Sequence, residues 1–368
     1  LPMRLADYAQ GRDNNFNLIR IAAAYAVLVS HSFPLAHGSS AVEPFTQMLG
    51  MSLGTMAVDV FFFTSGFLIT ASLMHRQNVK QFIWARILRI YPALVVVVLL
   101  SVFCMGVYFT TQPLTAYLSD AKIYIYVLRS STLITGVSQH LPGVFEHNPF
   151  DCTVNGSLWT LPYELKMYIT LTCAWLLVRF VPNGRGRVFK VVLVLSAVIA
   201  GLLLILVHLH VVNTGGKSLR LFYMFFTGAS FYMLREKVVL SRPVFAFFLL
   251  LLLGSSLHKE IFYISYVLVI GYCILFCAYV PSGVIRNYNK LGDYSYGLYV
   301  YAFPVQQSIA ALVPGIAPLG MLVLSSATTL IFAVLSWSLV EKHALALKEF
   351  QPRALHFPVL LFSSRGKS

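Results

Sequence analysis

Apolar residues gather along this chain in blocks of about 20, separated by short polar stretches. A hydrocarbon core about 30 Å thick is crossed by about 20 mostly apolar residues at a helical rise of about 1.5 Å each. Ten blocks reach or approach that length, at about 17–36, 48–72, 90–110, 158–180, 188–211, 219–234, 243–258, 261–280, 293–313 and 317–340. The pattern predicts an all-α, polytopic integral membrane helix bundle with about ten transmembrane helices. One connection is long. Residues 111–157 carry polar and aromatic side chains with Pro142, Gly143 and Pro149, and loops of that length are commonly functional. No internal repeat is visible. Residues 1–350 read as a single transmembrane domain, and 351–368 as a tail. The N-terminal LPMRLADYAQ lacks the basic, apolar and small-residue order of a signal peptide, so the first block is expected to be a retained span.

Composition strengthens the membrane reading. The 368 residues are 58% hydrophobic and only 11% charged, against about 25% charged in a soluble domain. The net charge is +14. A nucleic-acid surface would gather basic residues in one patch; here they are spread over many short loops, which matches the positive-inside rule. With the N-terminus cytoplasmic, 21 of the 27 Lys and Arg fall on the cytoplasmic side. That split predicts both termini inside and 111–157 outside. The five cysteines form no disulfide framework, and no His or carboxylate joins Cys273 and Cys277 at metal-ligand spacing, so no metal is expected.

A few polar residues stand out against this background. Arg20 and His31 share the first span. Eleven residues are close to three helical turns, so both project from one face, about 16 Å apart. A snorkelling arginine and a hydrogen-bonded core histidine would be the bland account; a polar path along the first helix is the sharper one. Asp59, among phenylalanines, and Glu164, at the outer end of the fourth span, are intramembrane carboxylates, which are functional candidates by default. Both are expected at about the depth of His31, where a carboxylate orients an imidazole. Arg86 and Arg89 stand just ahead of the third span, as a basic rim suited to phosphate or as ordinary positive-inside charge.

The stretches "NLIRIAAAYAVLVSH", "VDVFFFTSGFLI", "RILRIYP", "SLWTLPYELKMY" and "LGDYSYGLYVYAFPVQQ" follow one another in this chain as they do in the acyltransferase family 3 membrane proteins, and "LSWSLVEKHAL" resembles that family's closing helix. The resemblance runs from residue 14 to about 348. It implies a membrane O-acyltransferase, mostly O-acetyl, in the bacterial inner membrane. Acyl groups would pass from cytoplasmic acyl-CoA to hydroxyls of cell-surface or lipid-linked glycans. Acetyl-CoA or another acyl-CoA would be a substrate, not a resident cofactor; no nucleic acid is expected, and membrane lipids surround the chain.

Residue by residue, Arg20 and His31 match the family's Arg-x10-His pair, Arg86 and Arg89 its Arg-x-x-Arg motif, and Trp159 and Glu164 its Trp and Glu. The resemblance implies Arg20, Arg86 and Arg89 as donor contacts. It implies His31 as base or acyl acceptor with Glu164 and Asp59 in support, and Trp159, Tyr163 and Tyr296 as substrate contacts. Many members carry a histidine where this chain has Ala302, which removes one possible second base. Ser65 lies in no serine-nucleophile elbow and, beside Gly66, suits helix packing. A transporter or flippase of a lipid-linked glycan is the competing class, without the matching broken helices that transporters carry; a sensor or scaffold would need no base in the membrane.

Overall fold

The structure is a computed structural model that describes residues 3–349 apart from 12, 77, 182, 183 and 214. The expected tail at 351–368 and Arg12 lie outside the described residues. Each predicted block is a helix: α1 (Phe16–His37), α2 (Leu53–Arg76), α3 (Val79–Leu100), α4 (Leu161–Leu177), α5 (Arg185–His208), α6 (Gly216–Met233), α7 (Arg242–Ser255), α8 (Lys259–Tyr279), α9 (Ser295–Leu312) and α10 (Pro318–Ser336). Among the described residues there is no β-strand. Six of these elements are long and apolar enough to cross a membrane, among them α3 with its continuation to Phe109 and α10 with its continuation to Ala346. The protein is an all-α, polytopic membrane bundle.

α9 is the centre. Every residue from Ser295 to Gln307 is buried, whereas α5 and α7 present most of their surface outward, as lipid-facing helices do. α1 and α10 pack around α9, and α2 meets α6 at very close range. That approach needs glycine. A Cβ on Gly66 would lie 1.9 Å from the Phe225 carbonyl oxygen, and one on Gly228 would lie 2.1 Å from that of Phe63. Small residues let helix backbones approach in this way.

Two boundaries differ from the sequence expectation. The Asn78 side chain accepts hydrogen bonds from the backbone amides of Lys80 and Gln81 and starts α3 at Val79. Arg86 and Arg89 therefore lie inside the helix, not ahead of it. The 111–157 connection is also built, with helices at Leu114–Ser119 and Ala121–Thr132 and a return held by bridges between Thr110 and Val144 and between His140 and Thr153.

The end of that connection turns back into the bundle. Residues 148–160 run down the side of α9, and irregular backbone is tolerated at this depth only where protein groups satisfy it. Gln307 donates to the carbonyls of Asp151 (2.9 Å) and Thr153 (2.7 Å) and accepts from Asn148 (2.8 Å). Pro304 lacks an N–H and so leaves the Val300 carbonyl free; the Asn155 side-chain amide donates to it at 2.9 Å. Asn155 also caps a 3-10 turn, Gly156–Thr160, that runs directly into α4. α4 thus begins within the bundle and has 17 residues.

Gln307→Leu keeps roughly the side-chain volume while stripping a partner from the buried Thr153 carbonyl and another from the part-buried Asp151 carbonyl. Each buried polar group left unsatisfied costs about 1–3 kcal/mol. Thermal unfolding in detergent is expected to show a clearly lowered Tm; an unchanged Tm would mean that the re-entrant segment is held by other contacts.

Candidate functional site

Two cavities lie end to end between α1, α2, α4 and α9. The first, about 100 Å³, is lined by Arg20, Arg86 and Arg89, by Ser65, Ile69, Glu164 and Tyr168, and by Tyr296. Its charges are largely compensated. Oδ2 of Asp293 lies 2.9 Å from Arg20 and 2.6 Å from Arg89, while Oδ1 accepts from the Ser295 hydroxyl at 2.5 Å. Arg89 also reaches Glu341 at 3.5 Å. Glu341 faces inward because α10 ends in a π-helical turn, Trp337–Glu341, and the Ser336 hydroxyl fixes its second oxygen at 2.9 Å. Burial raises the Asp293 pKa, but Arg20, Arg89 and Ser295 outweigh it and hold the carboxyl well below the ordinary aspartate range. Glu164 accepts from the Ser65 hydroxyl at 3.3 Å and from the Tyr168 hydroxyl.

The second cavity, about 390 Å³, holds His31. Val27, Ser30 and Pro34 accompany it from α1, and Gly54 and Thr55 from α2. Gln139, Phe150, Asp151 and Thr153 come from the long connection, and Trp159, Arg220 and Phe303 complete the wall with Glu43. The His31 ring meets Phe303 edge-on at 5.2 Å, and its Nδ1 is buried without a hydrogen-bond partner among the described residues. Glu43 is buried and fully engaged, accepting from the Ser30 and Thr46 hydroxyls and the Thr46 and Leu53 amides. Asp151, near the mouth, is exposed; a hydrogen bond from His140 lowers its pKa.

The cavities meet at Val58 and Tyr299, which line both. Helical spacing explains this. On α9, Tyr296, Tyr299 and Phe303 share one face and step from the first cavity to the second; on α2, Ile69, Ser65, Val58 and Gly54 do the same. On α1 the step runs from Arg20 to His31. The Tyr299 hydroxyl is fixed by Thr160 at 2.7 Å and donates to the Ser157 carbonyl at 2.8 Å.

The structure therefore separates residues that the sequence reading grouped. Arg20, Arg86, Arg89 and Tyr296 share the first cavity. His31 and Trp159 share the second. Glu164 belongs with the arginines and not with His31, because α4 starts within the bundle and Glu164 lies below Trp159. Asp59 does not support the histidine directly; fully buried, it pairs with Arg220 Nε at 3.1 Å, and Arg220 is the residue that reaches the His31 cavity. Tyr296 faces the arginine cavity and donates to the Ile90 carbonyl at 2.8 Å. Tyr163 lines neither cavity and packs against Trp159 at 5.8 Å and Lys166. Ser65, read as a packing residue, also donates to Glu164, while Gly66 makes the close helix contact.

Sequence reasoning missed Glu43, Arg220, Asp293 and Tyr299. Arg220 left a signal: it lies inside the block predicted from 219, where a charge demands a partner, and Asp59 was an intramembrane carboxylate able to supply one. Asp293 stood in a quoted motif, but nothing local to it says that it collects two arginines from distant helices.

Asp293→Asn breaks both ion pairs, each a charge-assisted hydrogen bond worth about 1.5–3 kcal/mol. A carboxylate whose folded pKa is depressed contributes its stability fully above its unfolded value, about 3.9, and loses it as pH falls toward the folded value. The Tm difference between wild type and Asp293→Asn is therefore expected to hold constant from about pH 8 to pH 5 and to narrow below about pH 4. Calorimetry in detergent across that range checks it; a difference that vanished already at pH 6 would contradict the pairing.

Comparison with known proteins shows the family. A family model described as an acyltransferase domain matches residues 13–338. An O-acetyl transferase of Shigella phage Sf6 is 31% identical over 354 residues, covering 91% of this chain and 96% of the phage protein. Nodulation protein 10 of Rhizobium leguminosarum bv. viciae is 28% identical over 172 residues, covering 45% of each chain. No solved structure matches the chain. With the family model matching most of its length, this chain belongs to acyltransferase family 3.

Proposed function

We propose that the protein transfers an acyl group, acetyl in the first instance, from acyl-CoA bound at the arginine-lined cavity to a hydroxyl of a glycan bound at the His31 cavity. The observation that carries this reading is that the arginine-lined cavity and the His31 cavity adjoin, sharing Val58 and Tyr299 in their linings. The first offers guanidinium groups, which suit phosphate. Arg20 and Arg89 already engage Asp293 and Glu341, so phosphate contact there competes with carboxylates. The second combines an aromatic wall with hydrogen-bonding side chains, a lining suited to the apolar faces and hydroxyls of a sugar. The name of the phage relative, an O-acetyl transferase, favours acetyl.

His31 takes the hydroxyl proton as the acceptor oxygen attacks the thioester carbonyl. The carbon–sulfur bond breaks, the new ester carbon–oxygen bond forms, and the departing thiolate takes the proton. An acyl-His31 intermediate satisfies the same balance in two steps. The spread of basic residues supports an orientation in the bacterial inner membrane with the Arg20 end in the cytoplasm and the 111–157 connection outside.

His31→Ala is expected to abolish transfer while acyl-CoA still binds, since a general base contributes about 10²–10⁴-fold. Arg86→Ala is expected to weaken acyl-CoA binding about ten- to hundredfold, the equivalent of one charge-assisted contact. Purified protein, labelled acetyl-CoA and a glycan acceptor measure both. More than about a tenth of wild-type transfer in His31→Ala, less loss than even the low end for a base, would make His31 structural. Unchanged donor affinity in Arg86→Ala would assign that arginine to topology.

A further inference from the structure

We infer that Val58, facing Tyr299 where the two cavities meet, limits the acyl group to short chains, so that the protein selects its donor by acyl length at this neck. The inference rests on the acyl-CoA reading above and extends it to donor selectivity. Val58 and Tyr299 line both cavities, and each is only 6% exposed. They are the residues common to both linings, so the shortest way from the arginines to His31 runs between them.

The neck is stiff on the Tyr299 side. Its hydroxyl is held by Thr160 and the Ser157 carbonyl, its ring packs edge-on to Phe61 at 5.5 Å, and the helix around it is buried from Ser295 to Gln307. Val58 is held too. It precedes Asp59, which is tied to Arg220, on a helix whose contact with α6 leaves no room even for a Cβ at Gly66. A β-branched valine has one strongly preferred rotamer in a helix, so Val58 cannot swing aside. A passage with two immobile walls discriminates by size, and one methylene too many in such a site costs about ten- to 200-fold.

The chemistry at the neck is the transfer already described. The acyl carbon exchanges the CoA sulfur for the acceptor oxygen, and the proton passes from the hydroxyl through His31 to the thiolate. Only the acyl group and the end of the thiol arm need to enter the neck; the phosphates stay with the arginines.

The experiment compares acetyl-CoA and butyryl-CoA as donors for wild type, Val58→Ala and Val58→Phe, and measures acetyl-CoA binding separately by calorimetry. Wild type is expected to prefer acetyl. Val58→Ala is expected to raise the butyryl-to-acetyl ratio of kcat/KM by tenfold or more. Val58→Phe is expected to bind acetyl-CoA as wild type does and to lose at least tenfold in acetyl kcat, a split that a merely misfolded variant would not give because misfolding removes binding as well. A wild-type butyryl-to-acetyl ratio in a Val58→Ala protein that binds donor overturns the neck, as does full acetyl kcat in Val58→Phe. If Val58→Phe fails to bind donor, the Val58→Ala ratio decides alone. Failure of wild type to release CoA from either donor refutes the acyl-transfer reading itself.

Discussion

The structure depends on satisfying a stretch of irregular backbone inside a membrane bundle. Residues 148–160 descend beside α9, and from Thr153 onward most of them are buried, where protein groups must take the place of water. Gln307, Tyr299 and the carbonyl that Pro304 leaves open at Val300 supply the partners. Without them the segment would have to stay at the surface and α4 would begin higher. With them, Trp159 faces His31 and Glu164 falls among the arginines. One set of hydrogen bonds thus divides the polar interior into two chambers and fixes where they meet.

The same economy governs the charges. A buried ion needs a partner, and removing one partner is costly. Asp59 has Arg220, Asp293 has Arg20 and Arg89, and Glu341 has Arg89. These pairs tie α1, α2, α3, α6, the start of α9 and the end of α10 together around the cavities. His31 differs from them: its Nδ1 is buried without a partner among the described residues. That contrast, more than its presence in a membrane helix, is what supports His31 as the proposed base.

Much of the fold was legible because twenty-residue apolar blocks admit one solution in a membrane, and a helix was found at each. The shared direction of Arg20 and His31 followed from helical periodicity alone. What was not legible depended on irregular backbone. Glu164 looked like an outer-end carboxylate because the apolar block from 158 read as a full span, and nothing in SLWTLPYEL announces that its start is pulled inward by the Gln307 and Asn155 hydrogen bonds just ahead of the turn. Asp59 looked like a partner for His31 because both seemed to share a depth; the side of the helix on which it lies, toward α6, is decided by Gly66 and Gly228. The inward turn of Glu341 needs a π-helical turn that no sequence periodicity reports.

The central claim is that donor and acceptor enter from opposite ends and meet at one neck. The most direct test reconstitutes the protein in sealed vesicles in one orientation, with labelled acetyl-CoA confined to the side of the Arg20 end and the glycan acceptor confined to the other. The account predicts label in the acceptor across an intact bilayer, and none when the two reactants exchange sides. Transfer only when both reactants share a compartment would contradict it.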